Sequence, residues 1–247
     1  MFRAALILLV ELTLFIHLSA QTHTQNFVID GAFSKEELLG QIKPTSHASF
    51  SQVPQKYASK SGIYLRTEAL IAFKGLHDAA IDEELKINIL SGTRTFKHQK
   101  SIWEGKWEKP KYMGWDALDK ALDILTYSSM PGTSRHHWGT DIDLNAFENE
   151  YFESGEGLAV YEFLNRCAST FGFYQVYTSK ETSNSPRSGY EEEKWHWSYT
   201  PISIPMLKAY NELISTEDIQ GFQGESHADS VNIIRDYVNG IRIYDLE

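Results

Sequence analysis

The chain has almost no cysteine, an excess of acidic over basic residues, and no long uninterrupted hydrophobic run. Its single cysteine, Cys167, cannot form an intrachain disulfide, which argues against a small disulfide-stapled extracellular domain. Lys and Arg number 23 against 33 Asp and Glu, and this net charge of -10 argues against a nucleic-acid binder. The 247 residues are 42% hydrophobic and 13% aromatic, which is enough for one sizeable core.

The N-terminal apolar run is typical of a secretory signal. Arg3 precedes an apolar stretch over residues 4–18, and residues 18–20, Leu-Ser-Ala, match a small-residue cleavage site. A membrane anchor is the alternative, but the run is too short to span a bilayer comfortably and Glu11 interrupts it. We therefore expect residues 1–20 to be a cleaved signal. The mature protein would be exported, periplasmic or secreted, and would keep no membrane anchor.

The hydrophobic pattern predicts helices and strands that alternate without a repeating βαβ unit. Helices are predicted over residues 64–80, 94–103, 115–127, 158–170, 204–214 and 228–238. Strands are predicted over residues 86–90, 136–144, 173–177 and 194–199, and a polar loop over residues 178–189. This order indicates the α+β class, with a small, mainly antiparallel sheet and flanking helices.

Two short segments carry the chemistry of the chain. The first is SRHHWGTDID, from Ser134 to Asp143, and the second is EKWH, from Glu193 to His196. Together they offer two histidines and one aspartate as metal ligands, and a glutamate that need not be a ligand. A catalytic zinc site has this inventory: three protein ligands, an open fourth position for water, and a carboxylate that takes the proton of the water. The two segments therefore predict a zinc hydrolase.

The spacing within the first segment favours an extended chain. His136 and Asp143 are seven residues apart, too far for one helical turn, and a strand with a bend at Gly139 would bring them together. On such a strand His137 would point away from His136, so we expect a structural or rim role for His137. Asp141 would share a face with Asp143. Two interpretations of Asp141 are open: it orients a metal ligand from behind, or a local twist turns it to solvent.

Both segments match the pattern of a known family. The chain resembles the zinc D-alanyl-D-alanine carboxypeptidases and dipeptidases of the VanY/VanX type, whose pattern is SxHxxGxAxD followed by ExWH. The upstream stretches Tyr64-Leu-Arg66 and Ser91-Gly-Thr-Arg94-Thr, followed by Gln99, are similar to the YLR, SGYRS and Q of that family. The resemblance covers roughly residues 55–202, which is most of the chain after the predicted signal.

The resemblance implies a zinc site and a fold. One zinc ion per chain would be bound by His136, Asp143 and His196. Glu193 would act as general base and then acid on a water whose pKa the metal lowers to about 7. The implied fold is that of the D,D-peptidases. The hedgehog signalling domain has the same fold.

The resemblance also implies contacts with substrate. Arg94 would face the scissile carbonyl or the carboxylate of the substrate, because a guanidinium can donate two parallel hydrogen bonds or stabilise an oxyanion. Gln99 and Ser134 would be further substrate contacts. The chain departs from the family at two positions, since Asp141 replaces an alanine and Thr93 replaces a tyrosine. Neither change removes a ligand or the base.

The implied activity is removal of the terminal D-Ala from peptidoglycan stem peptides that end in D-Ala-D-Ala. A D-Ala-D-Ala dipeptidase and a murein endopeptidase are close alternatives, which differ in how the pocket is closed beyond the leaving residue. The polar loop 178–189 is a candidate lid for that closure. A different class, a non-catalytic zinc-stabilised module that binds cell wall or protein, would not need Glu193. Because the base and all three ligands are present, we expect an enzyme.

The predicted organisation is a single domain with extensions. Its parts are a signal peptide (1–20), an N-terminal linker with a first small element (21–55), a zinc D,D-peptidase domain (56–202) and a C-terminal helical extension that packs on the same domain (203–247). The sequence carries no sign of an internal repeat or a second core, and it makes no prediction about the oligomeric state.

Overall fold

The computed structural model describes residues 33–181, 186–242 and 244. The predicted signal, residues 1–20, lies outside the described residues, as do residues 182–185 of the predicted polar loop. Within the described part of the chain, no helix is long and apolar enough to cross a membrane.

Short strands alternate with helices throughout the described residues. The α-helices are α1 Lys35–Leu38, α2 Thr67–Asp82, α3 Phe96–Trp107, α4 Ala117–Ile124, α5 Gly155–Cys167 and α6 Thr200–Leu213. The strands are β1 Phe50–Gln52, β2 Tyr64–Arg66, β3 Ile89–Ser91, β4 Asp141–Leu144, β5 Phe173–Tyr174 and β6 His196–Tyr199. One sheet pairs β1 with β2 and the other has the order β3-β4-β6-β5, with antiparallel pairing throughout. The predicted α+β class with a small antiparallel sheet is confirmed.

The longer helices follow the periodicity of their apolar residues. In α2 the buried positions Ala69, Phe73, Leu76 and Ala80 recur at intervals of three and four residues, so they form one stripe against the core. Helix α3 begins where Thr95 caps it, since the threonine hydroxyl accepts a hydrogen bond from the third backbone N–H after it. The helices predicted over residues 158–170 and 204–214 correspond to α5 and α6, and both are confirmed with shifted ends.

The first predicted helix begins with a strand instead. Residues 64–66 form β2, which pairs with β1, and the helix starts only at Thr67. Leu65 is buried on the core side of this small sheet, so the apolar residue that suggested a helix is equally suited to a strand. The partner strand lies in the segment predicted to be mostly linker, and the local pattern could not reveal it.

The last predicted helix, over residues 228–238, is wrong in most of its length. Residues 228–232 form turns, and the left-handed φ of 50° at Asn232 is incompatible with an α-helix there. Only Ile233–Val238 is helical, and it forms a single stretch of π-helix. Its apolar residues Val231, Ile233 and Val238 are nevertheless buried. An apolar pattern therefore identified a buried segment here without identifying its backbone conformation.

The described residues on either side of the predicted D,D-peptidase domain pack into the same core. Leu38, Val53, Phe222 and Val238 all belong to one cluster of buried side chains. The indole N–H of Trp138 donates a hydrogen bond to the Leu38 carbonyl at 3.1 Å. The N-terminal segment therefore supports the turn over residues 135–138, which contains the predicted ligand His136.

Candidate metal centre

The neighbouring strands β4 and β6 supply two of the three candidate metal ligands, Asp143 and His196. In the register of β4 and β6, Asp143 lies opposite His196 and Asp141 lies opposite Ser198. Directly opposite residues of antiparallel strands share one face of the sheet, so these four side chains point to the same side. Ile142 points to the other side and is fully buried in the core. The expected shared face of Asp141 and Asp143 is therefore observed.

His136 reaches the site from a turn and not from a strand. Residues 135–138 form a 3₁₀ turn that ends at Gly139, whose φ of 73° is a left-handed conformation that favours glycine. A Cβ at Gly139 would also collide with the ring of Phe50. The predicted bend at Gly139 is correct, but the strand predicted before it is wrong. The turn places His136 Nε2 at 3.2 Å from Asp143 Oδ2.

His136, Asp143 and His196 form a group that could hold a metal ion. All three are buried, and one ligand atom of each lies within 4.8 Å of the others. His196 Nδ1 lies 3.2 Å from Asp143 Oδ1, the same separation that joins His136 to Asp143. Zinc bonds of about 2.0–2.1 Å in a tetrahedron place neighbouring ligand atoms roughly 3.3 Å apart. The donor set of two imidazoles and one carboxylate therefore fits Zn²⁺.

Hydrogen bonds behind the two histidines select the nitrogen that faces the site. His136 Nδ1 donates to the Gly92 carbonyl at 2.8 Å, which leaves Nε2 towards Asp143. His196 Nε2 donates to Asp141 Oδ2 at 2.8 Å, which leaves Nδ1 towards Asp143. Burial opposes a charge on His196, yet its hydrogen bonds to Asp141 and Asp143 outweigh burial and raise its pKa to about 9. Such partners are the means by which proteins orient metal-binding histidines.

Asp141 is held in a buried network of its own. Its Oδ2 accepts from Arg135 Nε at 3.0 Å, and its Oδ1 accepts from the hydroxyls of Thr140 at 2.6 Å and Ser198 at 2.8 Å. Burial raises the pKa of Asp141, but Arg135 and His196 outweigh it and hold the pKa below its usual range. Asp141 is 0% exposed, so the interpretation in which it turns to solvent is wrong.

Glu193 lies beside the ligand group. Its Oε2 is 3.5 Å from His196 Nδ1, and no group of the described residues donates a hydrogen bond to its carboxylate. Burial raises the pKa of Glu193 to about 7, and Asp143 adds to this rise while His196 and Arg94 oppose it. A carboxyl group with a pKa near neutrality can both accept and return a proton.

Arg94 joins the loop after β3 to the ligand group. Its Nη2 donates to Asp143 Oδ2 at 2.5 Å, and its Nε donates to Ser91 Oγ at 2.9 Å. Its backbone N–H donates to the carbonyl of His136 at 3.0 Å. Arg94 lines a cavity beside the ligand group, and its guanidinium has further N–H groups beyond these two side-chain bonds.

The ligand group opens onto a cavity of about 570 Å³. Ser134 lines the cavity, and its buried hydroxyl has no hydrogen-bond partner among the described residues. Gln99 does not line it: the side chain is fully buried and donates to the Ser129 carbonyl at 2.8 Å, and Ser129 itself lines the cavity. Of the two predicted substrate contacts, the structure thus brings Ser134 to the site and places Gln99 behind its wall.

Many of the residues that line the cavity were missed by the sequence analysis, among them Arg135, Tyr177 and Tyr190. The ring of Tyr177 lies 4.6 Å from that of His196 and 5.1 Å from that of Tyr190. The two tyrosines border the polar loop 178–189 on either side, which is the one signal that could have identified them. Arg187, within the loop, donates to the carbonyls of Thr178 and Tyr190, so the two ends of the loop are tied together.

Two further histidines near the site, His137 and His98, lie outside the candidate ligand group. His137 is fully buried; its Nε2 accepts from the Gly132 N–H at 3.0 Å and its Nδ1 donates to the Arg94 carbonyl at 2.6 Å. Burial lowers the pKa of His137 to about 4. His137 therefore ties the turn together from outside the ligand group. His98 is exposed on α3 and lines the cavity.

The sequence matches the model of a known family. The family model of the VanY D-alanyl-D-alanine carboxypeptidases matches residues 62–202, more than half of the chain. The chain belongs to this family. It is 29% identical over 143 residues to the D-alanyl-D-alanine carboxypeptidase of Enterococcus faecalis, a match that covers 58% of this chain and 50% of that protein. It is 26% identical over 195 residues to YodJ of Bacillus subtilis, covering 78% of this chain and 64% of that protein.

The chain spans between 50% and 64% of the length of these two curated relatives. Among solved structures, VanYB in complex with D-alanine-D-alanine matches with 24% identity and a TM-score of 0.48, over 73% of this chain and 93% of that one. The LD-carboxypeptidase LdcB matches with 18% identity and a TM-score of 0.49, over 79% of each chain. The family assignment rests on the sequence match over residues 62–202.

Proposed function

We propose that the protein is a zinc-dependent D-alanyl-D-alanine carboxypeptidase that removes the terminal D-Ala from peptidoglycan stem peptides. Membership of the VanY family supports this activity. The observation that carries the proposal is the position of the buried Glu193 carboxylate, which lines the same cavity as His136, Asp143 and His196 and accepts no hydrogen bond from the described residues. A site that only stored a metal would have no use for a further carboxylate that lines the cavity beside the ligands, because removing a carboxylate from bulk water is costly.

The metal would be held by His136 Nε2, a carboxylate oxygen of Asp143 and His196 Nδ1. When bound, zinc lowers the pKa of a water molecule and polarises the carbonyl of the scissile bond. Asp141 hydrogen-bonds His196 Nε2 and so fixes the ring in the orientation in which Nδ1 would be the metal ligand.

Two residues of the chain handle the proton and the developing charge. Glu193 accepts a proton from the attacking water at its carboxylate and returns it to the amine of the leaving D-Ala, a double role that a pKa near 7 supports. Arg94 directs its remaining N–H groups at the carbonyl oxygen, where negative charge develops. Because Arg94 also donates a hydrogen bond to Asp143, its guanidinium is held at a fixed position relative to the three candidate ligands.

Two buried donors favour an exopeptidase. The Ser134 hydroxyl and Arg135 Nη1 belong to cavity-lining residues, and both are buried without a hydrogen-bond partner among the described residues. Unsatisfied buried donors cost about 1–3 kcal/mol each, which makes these two groups candidates to bind the C-terminal carboxylate of a peptide. These donors therefore support recognition of a free C-terminus. Gln99 contributes indirectly, by holding the Ser129 carbonyl in the cavity wall.

The proposed substrate and the N-terminal sequence both favour a location outside the cytoplasm. The cell wall lies outside the cytoplasm, and residues 1–20 have the pattern of a secretory signal. The protein is therefore exported, and acts in the periplasm or after secretion. The catalytic domain comprises residues 56–202, with the segments before and after it packed on the same core.

The activity is tested with the purified protein, zinc, a stem pentapeptide ending in D-Ala-D-Ala, and free D-Ala-D-Ala. We expect release of one D-Ala from the pentapeptide, and loss of this release with a chelator and in Glu193→Gln. Glu192→Gln is the matched control, because Glu192 is the neighbouring carboxylate and does not line the cavity. Cleavage of the free dipeptide alone would identify a dipeptidase. Zinc binding without any cleavage would instead favour a binding module and contradict the proposal.

A further inference from the structure

The C-terminal segment, described over residues 232–242 and at 244, takes no part in the proposed mechanism. It lies beyond residues 62–202, which the family model matches. Within the segment, Ile233–Val238 form a stretch of π-helix, which follows the left-handed φ of 50° at Asn232. Stretches of π-helix are rare in proteins and are frequent at functional sites. The contacts that this segment makes with one wall of the cavity indicate its role.

The C-terminal segment is joined to the residues that lead into Tyr190. The Ser188 hydroxyl donates a hydrogen bond to the Asp236 carbonyl at 2.9 Å. Gly189 has a φ of 77°, and a Cβ at this position would collide with the same carbonyl oxygen, so the two backbones are in direct contact. The rings of Tyr237 and Tyr190 lie 5.1 Å apart at an angle of 70°, an edge-to-face arrangement that aromatic pairs favour.

The same segment is joined to the residues that lead into Tyr177. The backbone N–H of Arg242 donates to the Val176 carbonyl at 2.8 Å. The Tyr244 hydroxyl donates to the Gln175 carbonyl, also at 2.8 Å. Tyr177 and Tyr190 both line the cavity, so one segment holds the backbone next to each of these two tyrosines.

The position of the Tyr190 side chain depends on its ring contacts. The side chain is buried, and its hydroxyl has no hydrogen-bond partner among the described residues. Its ring packs against the rings of Tyr177 and Tyr237, each at 5.1 Å. The Tyr177 ring lies in turn 4.6 Å from the ring of His196. A continuous set of ring contacts therefore runs from the C-terminal segment through the cavity wall to a candidate zinc ligand.

We propose that Tyr237 is a positioning residue, which holds Tyr190, and through it Tyr177, in the part of the cavity wall that the substrate contacts. This inference rests on the proposed carboxypeptidase function. Tyr237 does not itself line the cavity, so it acts only through Tyr190. Because neither Tyr177 nor Tyr190 is a metal ligand or the base, displacing them weakens binding of the substrate and of the transition state alike. Such a loss raises KM and leaves kcat nearly unchanged.

The test measures release of D-Ala from the stem pentapeptide by the zinc-loaded full chain and its variants. We expect Tyr237→Leu to raise KM about threefold to tenfold, the contribution of one aromatic pair, and to leave kcat within about twofold. Tyr237→Phe retains the ring and should retain the KM of the unmodified protein. Ser188→Ala removes one hydrogen bond of an exposed residue, so it should fold and raise KM about twofold.

Nitration with tetranitromethane, mapped by mass spectrometry, reports the position of Tyr190 without any need for activity. We expect Tyr190 to be protected in the unmodified protein and in Tyr237→Phe, and to be nitrated severalfold faster in Tyr237→Leu and Ser188→Ala. Ile234→Ala is the matched control, because Ile234 is a partly buried residue of the same π-helical stretch that packs against the core and does not line the cavity. It should leave both KM and the protection of Tyr190 unchanged.

An unchanged KM or a protected Tyr190 in a folded Tyr237→Leu protein would overturn the inference. Equal rises of KM in Tyr237→Leu and Ile234→Ala would overturn it too, because any loosening of the segment would then have the same effect. If Tyr237→Leu does not fold, Ser188→Ala decides by the same two measurements. If the unmodified protein releases no D-Ala, the proposed function fails, and nitration alone decides whether Tyr237 holds Tyr190.

Discussion

At the scale of single residues, His196 lies between two carboxylates with different tasks. Asp143 lies on the Nδ1 side of the ring, where the candidate ligands meet. Asp141 is hydrogen-bonded to Nε2 on the opposite side of the ring. Asp141 is in turn paired with Arg135, whose Nη2 donates to Ser198 Oγ at 2.7 Å. The candidate zinc ligand is therefore one end of a buried chain of charges that starts at an arginine. The nitrogen that His196 presents to the site therefore depends on Asp141, which is not itself one of the three candidate ligands.

Replacing Asp141 tests this dependence. Because the orientation of His196 relies on the Asp141 carboxylate, we expect Asp141→Asn to weaken zinc binding about tenfold, and Asp141→Ala by up to about a hundredfold. A competitive chelator titration measures the affinity. Removing a partner of a buried ion pair can cost about 3–5 kcal/mol, so folding is checked by circular dichroism.

Ser198→Ala is the milder companion, since it removes the hydrogen bonds of Ser198 with Asp141 and with Arg135 Nη2 but leaves the Arg135–Asp141 ion pair in place. We expect it to fold and to lose less than tenfold in zinc affinity. Unchanged affinity in a folded Asp141→Asn protein would show that Asp141 only stabilises the fold.

Several site residues could be predicted because they belong to one motif. His136, Asp143, Glu193 and His196 are brought together as the spacing of the two segments indicates. Arg135 could not be predicted, because arginines are mostly exposed and its partners become evident only from the register that places Asp141 opposite Ser198.

At the scale of elements, the turn before β4 determines where His136 stands. The turn is closed by Gly139 in a left-handed conformation, against the ring of Phe50 from β1. A residue with a Cβ at this point would meet both a conformational penalty and a steric one. The element is short, yet it determines the distance between His136 and Asp143.

We expect Gly139→Ala to destabilise the protein by more than the roughly 1–2 kcal/mol that a left-handed alanine costs, because the Phe50 ring must also move. Urea unfolding measures the loss. Gly62→Ala is the matched control: its φ is 80°, but nothing lies within 4 Å of the added Cβ. Equal losses in the two variants would contradict a role for the Phe50 contact.

Elements differed in how far they could be predicted. Helices α2 and α5 are long enough for their apolar spacing to stand out, and both lie near their predicted positions. Strands β3 and β5 have three and two residues, too few for alternation to be distinguished from chance, and each is shorter than predicted. The 3₁₀ turn before β4 packs against β1, about ninety residues earlier in the chain. A local sequence pattern could not predict this turn.

At the scale of the whole molecule, the candidate ligands come from a turn and two strands that meet only in the folded chain. His136 precedes β4, Asp143 lies in β4 and His196 begins β6, with more than fifty residues between the strands. Residues near the N-terminus hold the turn as well, since Arg66 Nε donates to the Trp138 carbonyl at 2.9 Å and Arg66 Nη2 to Glu37 at 2.8 Å. An unfolded chain cannot reproduce this arrangement, so zinc binding and folding must be coupled.

We therefore expect zinc to raise the melting temperature and a chelator to lower it. A ligand that binds only the folded state stabilises it by about 4 kcal/mol when its concentration is a thousand times its Kd. Thermal unfolding with zinc and with chelator measures the difference. The difference should persist in Glu193→Gln, since Glu193 lies outside the ligand group, and should shrink strongly in His196→Ala. A melting temperature that is equally sensitive to zinc in both variants would mean that the ion binds elsewhere, and the assignment of His196 as a ligand would fall.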